Sequence, residues 1–110
     1  MPEVLIDPAV LEGLRRELGD DAPAIIGDML ASFRADGLVQ LAAFDGAADA
    51  AGMAKAAHRL RGSALNLGAI ALAAICQRAE SLANGGDAAG CQACAGEMRR
   101  ILELTDKALA

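Results

Sequence analysis

The chain of 110 residues has no tryptophan and no tyrosine, only two phenylalanines, one histidine and three prolines. Each shortage excludes something. With Phe33 and Phe44 as the only aromatics there is no surface on which bases could stack. A net charge of −5 leaves too few cations to neutralise a phosphate backbone, so no nucleic-acid partner is expected. No apolar run reaches the roughly 18 residues that a bilayer span needs. The segment Met1-Pro2-Glu3-Val4-Leu5 lacks both the basic start and the apolar core of a secretory signal, so a cytoplasmic protein without membrane contact is expected. The three cysteines, an odd number in a chain without such a signal, argue against a disulfide framework. The initiating Met1 favours a free-standing protein over an excised domain.

What the chain does have is helix-forming sequence. Much of its 55% hydrophobic content is alanine, and the prolines fall at positions 2, 8 and 23, leaving the rest without an obligatory helix breaker. Asp7-Pro8 reads as N-cap and first helical residue, and Gly19 closes that helix after Leu11, Leu14 and Leu18. Asp20 or Asp21, followed by Pro23, starts a longer one with Ile26, Met29, Leu30, Phe33, Gly37, Leu41 and Phe44 on one side. Asp49 caps a third, whose stripe is Met53, Ala57, Leu60, Ala64 and Leu67. A fourth carries Leu72, Ile75, Cys76, Ala79, Leu82 and Ala83. After the loop Asn84-Gly85-Gly86, Asp87 caps a fifth with Cys91, Ala95, Met98, Leu102 and Thr105 as its seam. The helices are expected at about 8–18, 22–45, 49–67, 69–83 and 88–108. No segment alternates with the period of a strand. The expected fold is all-α: a single domain over 1–110, an antiparallel four-helix bundle with a short additional N-terminal helix.

The one histidine is the candidate for chemistry. At about 100° per residue, His58 lies roughly 140° from the centre of its helix's apolar seam, so it projects outward. Ala51, Ala54, Lys55, Arg61, Gly62 and Leu65 share its face. Ala54 and Gly62 keep that surface low, Leu65 offers apolar contact, and Lys55, Arg59 and Arg61 supply positive charge within a turn. Taken alone, Gly62 reads as a tolerated cost, because Gly13, Gly27, Gly37, Gly52, Gly90 and Gly96 also fall within expected helices. His58 stands ten residues before Gly68 and Glu80 twelve after it, which puts the two at nearly the same height in an antiparallel hairpin. Glu80 either accepts a hydrogen bond from His58 Nδ1–H, leaving Nε2 as the nucleophile, or is an ordinary solvated glutamate; spacing allows both.

The run His58-Arg59-Leu60-Arg61-Gly62-Ser63-Ala64, closed by Gly68-Ala69, resembles the signature of histidine-containing phosphotransfer (HPt) domains, and the resemblance extends from about Leu5 to Ala108. It implies a phosphorelay phosphocarrier, without kinase activity or ATP binding of its own. His58 would accept a phosphoryl group from the aspartate of one receiver domain and pass it to another. Arg61 would be the cation beside it, Gly62 the gap that admits the receiver, and Glu80 the residue that orients the ring. Ala54, Lys55, Arg59 and Leu65 would complete the partner-binding surface. The implied partners are response-regulator receiver domains and a hybrid histidine kinase. The chain would act as a monomer with no cofactor of its own, the magnesium ion residing on the receiver. Arg61 departs from the commoner lysine, Ala64 from a frequent serine, and Glu80 from the glutamine of some members.

Rival readings rest on fewer residues. A sensor-kinase dimerisation helix normally has an acidic residue directly after its histidine, and here Arg59 follows. Cys91 and Cys94 fall on or near an apolar seam, where cysteine behaves as a small hydrophobe, and Cys76 with an outward His58 does not complete a zinc site, so no metal is expected. Ser32, Ser63 and Ser81 have no adjacent base. The alternative function is a non-catalytic helical module that binds receivers or kinases without transfer.

Overall fold

The computed structural model describes residues 4–109, so what was read from residues 1–3 lies outside the described residues. Its helices are α1 (Pro8–Leu18), α2 (Ala22–Asp45), α3 (Ala50–Asn66), α4 (Ile70–Asn84), α5 (Ala88–Ala93) and α6 (Ala95–Leu109), and no strand occurs among the described residues. Three begin as the local sequence dictates. The carboxylates of Asp7, Asp49 and Asp87 accept from the amides of Ala9 at 3.0 Å, Gly52 at 2.9 Å and Gly90 at 2.7 Å. Each satisfies a donor that the first turn leaves orphaned.

Asp21 is the N-cap residue of α2, one of the two expected, but its side chain makes no capping bond; the chain passes through one 3-10 turn, Gly19–Asp21, straight into the helix. One expectation needs correction. The single helix expected at 88–108 is two, α5 and α6, divided at Cys94. There the backbone tightens: Cys94 N–H donates to the Cys91 carbonyl, three residues back, and its thiol to the Gly90 carbonyl at 3.5 Å. Weak helix formers at Gly90 and Gly96 flank the break.

α2, α3, α4 and α6 form the bundle. α3 packs against α2 and α4, and α6 closes the square against the same two, so the α2–α6 edge lies on the opposite side of the bundle from the α3–α4 edge. The core is built from Phe33 and Phe44 of α2, Leu60 of α3, Leu72 and Cys76 of α4, and Met98 and Leu102 of α6, all buried. Burying each large apolar side chain contributes about 1.5–3 kcal/mol. Met29 and Leu30, expected on the seam, are half-buried. Met29 lines a cleft of about 440 Å³ between the first half of α2 and the end of α3.

The α3–α4 turn is held from outside. Gly68 has φ +73°, and a Cβ there would lie 2.7 Å from the Asp7 carbonyl oxygen and against Val10. Asp7 N–H donates to the Gly68 carbonyl at 2.8 Å, and Ala71 N–H to that of Leu5 at 3.4 Å. Glycine fits both the backbone conformation and the close approach.

Candidate functional site

α3, started by Asp49, carries His58 near its middle, and α4 returns alongside with Glu80 at the same level. The histidine side chain is 63% exposed and its Nδ1 stands 2.8 Å from Glu80 Oε2. Arg61, one turn on, lies with Nη1 3.3 Å from Glu80 Oε1 and Nη2 3.4 Å from the same Nδ1. Those contacts decide the tautomer. Nδ1 can donate to the carboxylate or accept from the guanidinium, not both. An unprotonated Nδ1 would set its lone pair against a carboxylate oxygen at the shorter distance, so the proton belongs on Nδ1, donated to Glu80. In the neutral ring Nε2 is then the nitrogen with the free lone pair.

Of the two sequence readings of Glu80, the structure has the bonded one: its side chain is only 18% exposed and reaches both His58 and Arg61. Arg61 lies beside His58, as expected, and also reaches the carboxylate behind it. It sits against Glu80 on the Nδ1 side of the ring, 27% exposed, and offsets the charge of that carboxylate. Lys55 and Arg59 are exposed, Ala54 is half-buried, and Leu65 is an exposed apolar side chain on the same helix. Gly62 is exposed, and a Cβ added to it meets nothing within 4 Å. Nothing inside the chain therefore requires glycine at 62.

A second network secures α3 from behind. Ser63 Oγ donates to Asp36 Oδ2 at 2.5 Å, and Gln40 Nε2 donates to Asp36 Oδ1 at 3.3 Å. This ties α3 to α2 one turn past His58. The i,i+4 spacing of Asp36 and Gln40 beside the α2 seam was the available signal, and sequence reasoning passed over it.

Cys76, one turn before Glu80, is buried, and burial pushes its thiol up to about 12, with Arg61 pulling down and Glu80 pushing up. It is a protonated, apolar filler at neutral pH. Burial likewise raises Cys91. Among the described residues no three His, Cys, Asp or Glu side chains are arranged to hold a metal ion, and no helix is long and apolar enough to cross a membrane.

The site is thus an exposed imidazole with a fixed tautomer, a neutralised carboxylate behind it and a low surface beside it. Comparison with known proteins identifies the family. Residues 8–108 match the family model of the Hpt domain. The fold is similar to the crystal structure of histidine-containing phosphotransfer protein B (HptB) from Pseudomonas aeruginosa PAO1, with a TM-score of 0.85 and 25% sequence identity, over 98% of this chain and 93% of that one. No curated protein sequence gives a match. Because the family model spans nearly the whole chain rather than only the helix bearing His58, the chain belongs to the Hpt domain family and is a phosphorelay phosphocarrier.

Proposed function

We propose that His58 is the phosphoacceptor of this carrier and that transfer runs through Nε2. The observation that carries the reading is the 2.8 Å contact between Nδ1 and Glu80, on a ring that otherwise faces solvent. Nε2 attacks the phosphorus of an aspartyl phosphate in line; the phosphorus–oxygen bond to that aspartate breaks and its carboxylate leaves. The new phosphorus–nitrogen bond leaves the ring cationic, with the Nδ1 proton still against Glu80, whose charge stabilises it. Arg61 acts as a positioning residue by holding Glu80. Magnesium comes with the receiver domain, and this chain contributes no cofactor.

The partners are response-regulator receiver domains and a hybrid histidine kinase, which approach over Ala54, Lys55, Arg59, Gly62 and Leu65. The chain has no ATP-dependent kinase activity of its own and works as a cytoplasmic monomer, apart from membranes and nucleic acid. The test is incubation with phosphorylated receiver domains, comparing the parent with His58→Gln. Only the parent acquires label, and that label survives base and is lost in acid, as a phosphoramidate requires. Equal labelling of both proteins, or of neither with any receiver from the same genome, overturns the reading.

A further inference from the structure

On the edge opposite His58, α2 and α6 leave a groove of about 330 Å³. Its walls are apolar: Leu38, Leu41 and Ala42 from α2, Leu102 from α6. Beside it the two helices pack closely: a Cβ on Gly37 would lie 3.1 Å from Leu102 Cδ2. Leu38, at the lip, is 69% exposed, and the adjacent Val39 is 60% exposed, although both sit mid-helix.

The groove also holds an unanswered charge. Asp106 Oδ1 is cut off from solvent and has no hydrogen-bond partner among the described residues. Buried polar atoms are almost always paired, because an unpaired one forfeits its hydration for nothing. The other charged groups here do not supply the donor. Arg99 is committed to Asp45, and Glu103 adds a further carboxylate. Arg34 draws the Asp106 carboxyl down, but against a larger upward push from burial. An apolar slot that ends in an unpaired carboxylate is complementary to an apolar side chain with an ammonium or guanidinium one turn away.

We propose that the α2–α6 groove docks a helix of a partner protein that presents a leucine-like side chain beside a lysine or arginine. The helix lays its apolar residue against Leu38 and Leu102, and its cation pairs with the Glu103 and Asp106 carboxylates that line the groove. Because this edge is opposite the α3–α4 edge, the docked partner leaves His58 uncovered. A carrier whose histidine must be vacated between successive receivers can thus be held throughout by a contact elsewhere.

The test uses a synthetic amphipathic helix of leucine and lysine about four turns long, with its leucine–glutamate counterpart as control, titrated into the full chain while amide chemical shifts are followed. Shifts are expected at Leu38, Ala42, Leu102 and Asp106 and not at His58 or Arg61. Binding falls about tenfold in Leu38→Glu and about fivefold in Asp106→Asn. Leu38→Glu adds a negative charge, so attraction by net charge alone would tighten binding, and that result overturns the proposal. Shifts centred on the His58 edge, or equal binding of the glutamate helix, also overturn it. So does self-association of the parent in sedimentation that Leu38→Glu abolishes, since the groove would then be covered by a second copy. These readouts do not depend on phosphoryl transfer, so the groove and the phosphoacceptor assignment stand or fall separately.

Discussion

Two edges of the same bundle hold a partly buried carboxylate, and they treat it in opposite ways. On the α3–α4 edge Glu80 is answered within the chain, by His58 Nδ1 on one oxygen and Arg61 on the other. On the α2–α6 edge Asp106 keeps one oxygen without a partner among the described residues. The first arrangement is preorganised: ring orientation, tautomer and charge balance are set before a receiver arrives, so binding need not create them. The second leaves its electrostatic completion to whatever docks there. A carboxylate's worth depends on what surrounds it more than on the residue itself.

The comparison can be broken most forcefully at Glu80. Glu80→Ala removes the acceptor for Nδ1–H and leaves Arg61 beside the ring, and phosphoryl transfer is expected to fall by about a hundredfold, within the range for an oriented acid–base group. Glu80→Gln keeps an acceptor but loses the charge, and a drop of about tenfold is expected. Single-turnover labelling from a phosphorylated receiver checks both. If the charge at this position stabilises the cationic phosphoimidazole, the glutamine variant also shifts the equilibrium back toward the phosphorylated receiver.

A smaller effect separates surface from stability. Gly62 and Gly27 both lie within helices with open space where a Cβ would be. Alanine at either is expected to stabilise the fold by about 0.8–1 kcal/mol, read by denaturant unfolding. Only Gly62→Ala should also weaken receiver docking and slow transfer. Equal transfer by the two variants would mean that the low surface at 62 has no part in recognition.

The α2–α6 edge gives the smallest effect, and it depends on pH. Burial holds the Asp106 carboxyl above its usual range, so the folded chain binds this proton more readily than the unfolded one. The stability associated with the protonated acid is therefore lost as pH rises through the folded-state value. Asp106→Asn does not ionise. Its melting temperature should match the parent's in acid and exceed it at neutral pH. A gap that closes instead as pH rises would contradict the burial of this group.

Features that depend on neighbouring residues were legible in the sequence; those that depend on distant side chains were not. Asp7, Asp49 and Asp87 announce helix starts because a cap is a contact within a few residues. Helical phasing and hairpin spacing placed His58 outward with Glu80 at its level. The break at Cys94 was invisible because the apolar phase runs on through Cys91, Met98 and Leu102 regardless of a tightened turn. The grip of Arg61 on Glu80 and the bond from Ser63 to Asp36 depend on the directions taken by side chains of different helices, which no periodicity encodes. The opposed fates of Glu80 and Asp106 follow from the same limit.

The clasp at Gly68 has a consequence for the site itself. Glu80 meets His58 only because α3 and α4 keep their longitudinal alignment, and the turn that sets it is pinned to backbone atoms of Leu5 and Asp7. Residues with no part in the chemistry thus act as a gauge block for it. Gly68→Ala would push against the Asp7 carbonyl some twelve positions from Glu80, and the fault would surface as a histidine whose Nδ1 has lost its acceptor.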